Sequence, residues 1–268
     1  MDEREGMGKI FMAAPLSPTD LRPMVKSTQR VFWDDDEESI QAVEELRIGQ
    51  IILQKKRLQN PDEKLILQTL LNMLARSGEK WLTFDANFLQ LQHRIMSLRK
   101  WNGPESLPDV STSYLLKTVK IWLATYLEGI NSSLELKRLP LGKILKDSLS
   151  YVQQQELKNL APEKITLPSG SAVAIQYSAE GEPPVLAARL QELFGWAQTP
   201  TINNGKVPLL IHLLSPGFKP VQVTQDLKNF WDNTYHEVKK ELKRRYPKHL
   251  WPDNPWEAQA VSGVKRKK

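Results

Sequence analysis

Cysteine is absent from the 268 residues. That excludes a disulfide framework, a thiolate metal site and a thiol nucleophile together, and it accords with a reducing compartment. Long apolar runs are missing as well, since none approaches the roughly 18–20 residues needed to cross a bilayer. The opening MDEREGMGK is too acidic and polar for a secretory signal. A cytoplasmic protein with no membrane partner is the expectation. Histidine is scarce: His93, His212, His236 and His249 fall on separate elements, with no pair at ligand spacing. No metal site is therefore expected. His212, inside an apolar strand, reads as a hydrogen-bonded core residue. His249, just after Lys248, suits either a phosphate contact or packing within the tail.

Phosphate-handling machinery is also missing. A nucleotide-hydrolysing site needs a glycine-rich loop ending in Lys-Ser/Thr, whose backbone N–H groups cradle the phosphates. No such string occurs. The acidic run Asp34-Asp35-Asp36-Glu37-Glu38 follows only a short strand and has no phosphate loop upstream. It lacks the alternating ligands and pivot glycine of a calcium loop, so it reads as a solvated turn. Ser169 in PSGS lacks the full G-x-S-x-G frame of a nucleophile elbow. No catalytic residue is expected.

What the chain does have is uneven positive charge. Its net charge is +6, and from Tyr151 onward 16 Lys and Arg face 11 Asp and Glu. Most of the excess thus lies in the C-terminal half, which points to an acidic partner, with nucleic acid foremost. A solvated surface is the plain alternative.

Hydrophobic periodicity predicts an α+β chain. Ile10 to Leu16 reads as a short strand. Arg30–Trp33, Ser39–Leu46 and Ile48–Gln54 follow as successive strands, an OB-like meander that the sequence does not close. Asn60-Pro61-Asp62-Glu63 starts a helix with a cap, a proline and an early acid, running to about Arg76. Asp85 starts a second, which Asn102-Gly103-Pro104 breaks. Ser111 or Thr112 caps a third, with Leu115, Leu116, Val119, Trp122, Leu123 and Tyr126 facing inward. A fourth spans Leu141 to about Leu157, with Leu141, Ile144, Leu145, Leu149 and Val152 on one face. Short loops between striped helices predict a central helical bundle. The expected organisation is a β-rich segment over 1–59, a helical region over 60–158, a C-terminal domain over 159–256 and a basic disordered tail over 257–268, ending in Lys265-Arg266-Lys267-Lys268.

The C-terminal domain is expected to be a β-sheet with two packed helices. Val173, Ile175 and Tyr177 alternate as in a half-buried strand after a Pro168-Ser169-Gly170 turn. Pro183 and Pro184 open a predicted helix with Val185, Leu186, Leu190, Leu193 and Phe194 at helical spacing, closed by Gly195. Asn203-Asn204-Gly205 turns into an apolar strand, Val207 to Leu214. Pro216-Gly217 turns that strand back toward Val221–Thr224 as a hairpin. The second helix starts at Thr224 or Asp226 and buries Leu227, Phe230, Trp231, Tyr235, Val238 and Leu242. Its other face carries cations, which the macrodipole favours near a helix C-terminus. Lys239, Lys240, Lys243, Arg244, Arg245 and Lys248 are the candidate phosphate contacts. Tyr246, Trp251 and Trp256 lie close by in sequence as rings on which a base could stack.

The runs LAPEKITLPSGS, PPVLAARLQELFGW, LLIHLLSPGFKPVQVTQDLKNFWDNTYHEVKKELKRRYPKH and LWPDNP resemble the C-terminal region of the bacterial HrpB-type ATP-dependent helicases, within the DEAH class of RNA helicases. GKIFMAAPL, RVFWDD, ELRIGQIIL and the PDVS segment resemble the region preceding it more loosely. The resemblance implies an accessory part that follows two RecA-like motor domains. It implies single-stranded RNA or DNA as a ligand and the motor domains, in cis or in trans, as partners. ATP and magnesium would enter only with those domains, because the phosphate loop, the DEAH-type box and the arginine finger have no matching positions here. Either a fragment of a longer helicase or a separate polypeptide working beside a motor fits this pattern. A protein-interaction or scaffold module, docking through Trp251 to Trp256, is the alternative.

Overall fold

The computed structural model describes residues 12–15 and 17–263. Ile10, Phe11 and Leu16 of the first expected strand, and the terminal Lys265 to Lys268, lie outside the described residues. Residues 12–15 form no regular element. The fold is α+β and divides into two compact units. One holds the described part of Met1–Leu82 with Leu123–Leu139; the other holds Thr83–Trp122 with the described part of Pro140–Lys268. The helices expected as one central group are shared between these units.

The first unit is built on a meander of β1 (Lys26–Asp34), β2 (Ser39–Ile48) and β3 (Ile51–Arg57), paired antiparallel in sequence order. The acidic run forms the β1–β2 turn: Asp34 accepts from the backbone N–H groups of Asp36 and Glu37 at 3.0 Å. This open three-stranded sheet is not the five-stranded closure of an OB barrel, and no further strand joins it among the described residues. The Glu63–Trp81 helix is capped by Asp62, whose carboxylate accepts from Lys64 N–H at 2.8 Å. Helical geometry breaks at Ser77, close to the predicted end, then resumes to Trp81. Leu70, Met73, Leu74 and Trp81 form its buried stripe, and Trp33 of β1 meets Trp81 edge-on at 5.1 Å.

The second unit carries a five-stranded sheet. In space its order is β10 (Pro220–Thr224), β9 (Leu210–Leu214), β6 (Val185–Arg189), β5 (Ala172–Gln176) and β4 (Lys164–Thr166), with β6 and β9 parallel and the other pairs antiparallel. In sequence, the chain between β6 and β9 forms a separate small hairpin of β7 (Thr201–Ile202) and β8 (Val207–Pro208). Its turn uses left-handed backbone at Asn203, Asn204 and Gly205, the residues predicted to turn there. Ile175, Leu186, Ile211 and Leu213 are almost wholly buried, each stabilising the unit by roughly 1.5–3 kcal/mol. The Ala86–Asn102 helix, capped by Asp85, binds the chain beyond β5 through one face. Gln90 both donates to and accepts from the Tyr177 backbone, Ser97 donates to Ser178 O, and Trp101 Nε1 donates to Gly181 O. Spacings of 3 to 4 along a helix bring such side chains onto one face.

Several expectations need correction. Pro183-Pro184 opens a strand, not a helix. Val185–Arg189 is β6, and only Leu190–Glu192 forms a single 3-10 turn before Gly195 at φ +86. Parallel pairing to β9 overrides the apparent helical spacing, and a burial pattern alternating between partial and full marks the strand. One C-terminal helix therefore packs on this sheet where two were expected. The Leu141–Leu157 helix is two helices, Leu141–Asp147 and Tyr151–Leu160, because Ser150 and Gln153 form a capping box that restarts the chain. Val152 is consequently exposed. The third helix ends at Lys117 and gives way to short turns, which leave Tyr126 exposed.

Candidate nucleic-acid interface

Asp226 caps the C-terminal helix by accepting from Asn229 N–H at 2.9 Å, and Thr224 Oγ1 accepts from Asp226 N–H at 2.9 Å. After one turn the helix passes through a π-turn, Phe230–Thr234, and continues as Tyr235–Arg245. The wider turn shifts the register, and Phe230, Trp231 and Tyr235 are all buried, Trp231 and Tyr235 against Phe194 and Phe230 against those two. Trp231 Nε1 donates to Trp196 O at 2.7 Å. An apolar face this demanding leaves the opposite side of the helix to its charged residues.

The tail closes over the same helix. Tyr235 Oη donates to Pro252 O at 2.9 Å and Trp251 Nε1 donates to Tyr246 O at 2.9 Å. Burial, reinforced by the Asp253 carboxylate, pushes the Tyr235 hydroxyl well above its ordinary pKa. Trp251 is only 8% exposed, so its ring is a packing element and offers no face to a base.

The six predicted cations lie on or just beyond the last three turns of this helix, and they divide. Lys239 is nearly covered, and its ammonium donates to Asp253; that hydrogen bond holds the Asp253 carboxyl below its usual range. It fastens the tail. Arg245 pairs with Glu241 at 3.4 Å across one turn of exposed surface, a contact worth little in water. Lys240, Lys243, Arg244 and Lys248 are exposed with no ion pair among the described residues. His249 turns partly inward. Its Nδ1 is buried without a hydrogen-bond partner, and burial, then the nearby Arg189 charge, lower its pKa.

One ring that sequence reasoning passed over lies on a turn that meets Tyr246, the residue after this helix. Parallel register places Arg189, the last residue of β6, level with Leu214 at the end of β9. The β9–β10 turn begins there, and its tip carries Phe218, 66% exposed at φ +59. Ser215 clamps the turn: its N–H donates to Lys219 O at 2.8 Å, its carbonyl accepts from Phe218 N–H at 2.9 Å, and its hydroxyl accepts from Lys219 N–H at 3.1 Å. The Arg189 guanidinium lies over the Phe218 ring at 4.9 Å and is itself held by Glu192 at 3.1 Å and by Ser262 O. The tip rests on the end of the basic helix, because a Cβ at Gly217 would lie 2.8 Å from the Tyr246 hydroxyl oxygen. A bulky residue directly after Pro-Gly at a hairpin tip was the available signal.

A basic helix sealed by its own tail on a mixed sheet belongs to a described class. Residues 122–255, half of the chain, match the family model "ATP-dependent helicase C-terminal" of the HrpB helicases, and residues 24–58 match that of their connector region. The ATP-dependent RNA helicase HrpB of Escherichia coli (strain K12) is 40% identical over 232 residues, covering 87% of this chain and 29% of that protein. A crystal structure of the E. coli DExH-box NTPase HrpB matches with TM-score 0.74 at 38% identity, over 91% of this chain and 30% of the other. A second, titled as the E. coli DEAH/RHA helicase HrpB, matches with TM-score 0.65 at 37% identity and the same coverage. The chain belongs to the HrpB-type ATP-dependent helicase family and corresponds to its C-terminal part. It spans about three-tenths of the length of these relatives.

Proposed function

We propose that this chain is a gripping, non-motor element of an HrpB-type helicase, which holds single-stranded RNA or DNA along the exposed basic end of the C-terminal helix. In this reading ATP and magnesium are handled by motor domains, joined in cis or acting in trans, and the chain hydrolyses no ATP alone. The observation that carries it is the cluster of Lys240, Lys243, Arg244 and Lys248, exposed and without an ion pair among the described residues, with Arg245 bound to Glu241. Lys239 is excluded from the phosphate contacts because Asp253 occupies it. The rival reading, a protein-docking module at Trp251 to Trp256, has less support, since Trp251 and Pro255 are buried in the chain itself and only Trp256 of that segment's large apolar side chains is exposed, at 38%.

The test is a titration with single-stranded oligonucleotide over a range of salt. Four or five phosphate contacts give a log–log slope of about −3 for a single strand. The triple variant Lys243→Glu, Arg244→Glu, Arg245→Glu is expected to reduce that slope by about 2 and to weaken binding most at low salt. Equal binding by the variant and the wild type removes this surface from consideration.

A further inference from the structure

We infer that Phe218 is the base-stacking platform of this interface, a ring offered to an unpaired nucleobase while the neighbouring cations hold the backbone. The inference rests on the nucleic-acid reading above and names where the base, as opposed to the phosphate, is bound. Three features separate this ring from an incidental exposed aromatic. The first is conformation: Phe218 occupies left-handed backbone at φ +59, which is costly for a bulky side chain, and the Ser215 clamp enforces it. The second is support. Arg189, fixed by Glu192 and Ser262 O, lies over the ring and restrains it without hiding it. A preordered ring loses little entropy when a base arrives.

The third feature is company. Gly217 touches Tyr246, the residue that follows Arg244 and Arg245, and Lys219 follows the ring on the other side. Stacking and phosphate neutralisation on adjacent elements are the two parts of a sequence-tolerant single-strand site. Of the three rings near the basic helix in sequence, Trp251 is buried, Tyr246 sits beneath the turn, and Trp256 is 38% exposed against 66% for Phe218, with no cation over its ring among the described residues. The ring that is both exposed and clamped is the one on the hairpin.

The experiment uses the full chain and two probes of equal charge, a twelve-nucleotide oligoadenylate and its abasic counterpart. The wild type is expected to bind the oligoadenylate roughly tenfold more tightly, as one stacked base would give. Phe218→Leu keeps an apolar side chain but has no π face, so it should lose that preference while holding the abasic strand and its salt dependence unchanged. Phe218→Trp should restore the preference. Phe32→Leu, on a ring in the other unit, serves as the control and should keep it. If Phe218→Leu retains the full preference for bases, the inference is overturned while the phosphate surface survives. If the wild type binds neither strand at low salt, both readings fall. If Phe218→Leu loses the preference but the charge-reversed helix binds normally, the ring's role stands and the helix is the wrong phosphate surface.

Discussion

The two sheets differ in how they are stabilised and in what they do with charge. In the β1–β3 sheet every pairing is a local hairpin, and β3 is exposed along its whole length, Ile51, Ile52 and Leu53 included. Three of its cations are engaged: Arg30 and Arg47 approach the buried Glu45 carboxylate at 3.9 and 3.6 Å, and Arg30 and Lys55 both lie over the half-buried Phe32 ring, while Lys26, Lys56 and Arg57 are exposed with no ion pair among the described residues. The five-stranded sheet instead depends on a parallel pairing between segments far apart in sequence, with β6 and β9 largely buried. Its cations sit on the helix beside it, and one arginine steadies one open ring. The first sheet thus commits its arginines near Glu45 and Phe32 to internal contacts, while the second unit gathers a cluster of open cations on one helix.

The largest expected effect tests the packing half of that contrast. Trp231 is fully buried among Phe194, Phe230 and Tyr235 and donates to Trp196 O. Trp231→Ala is expected to destabilise its unit by about 3–5 kcal/mol. Ile52→Ala, on the exposed strand of the other sheet, should change stability by less than about 0.5 kcal/mol. Urea unfolding of the two variants measures the difference, and similar losses would show that the exposed strand carries more of the fold than its burial indicates.

This contrast also explains what could be read from sequence. The β1–β2–β3 hairpins were legible because pairing, turn and alternation all lie within neighbouring residues, and the Asp62 and Asp85 starts were marked by residues that cap. β6 was not legible. Val185 to Arg189 owes its strand conformation to Leu210–Leu214 more than 20 residues away, while its apolar spacing mimicked a helix. The single long helix from Leu141 failed for a local reason, a Ser150–Gln153 capping box hidden inside an apolar stripe. At the site, charge periodicity exposed the basic helix but not that Lys239 is spent on Asp253. Pro216-Gly217 marked the turn that carries Phe218, but nothing local records that Arg189 will arrive over its ring.

A smaller effect concerns pH. Burial lowers the His249 pKa, so the folded chain binds fewer protons there than the unfolded chain does. Stability from the neutral ring is complete above the unfolded value of about 6.5 and is lost as pH falls from there through the lower folded value. Thermal melts between pH 7.5 and 5.5 should show a declining midpoint, and His249→Gln, which cannot titrate, should flatten that part of the profile. A profile unchanged by the substitution would place the acid sensitivity elsewhere, with Asp253 contributing only at much lower pH.

The smallest expected effect separates fold from function most cleanly. Left-handed backbone at a bulky residue costs on the order of 1 kcal/mol, and Phe218 is exposed enough to contribute little burial in return. Phe218→Gly should therefore leave the unit equally stable or more stable by up to about 1 kcal/mol, partly offset by the added freedom of the unfolded chain. The same variant should lose the preference for a base-bearing strand. A residue whose removal relieves strain and also removes binding is held in place by its ligand's requirements. Were Phe218→Gly instead to destabilise the unit by several kcal/mol, as Trp231→Ala is expected to do, the ring would be part of the core's support, and the division between packing aromatics on the helix and an open aromatic on the hairpin would not hold.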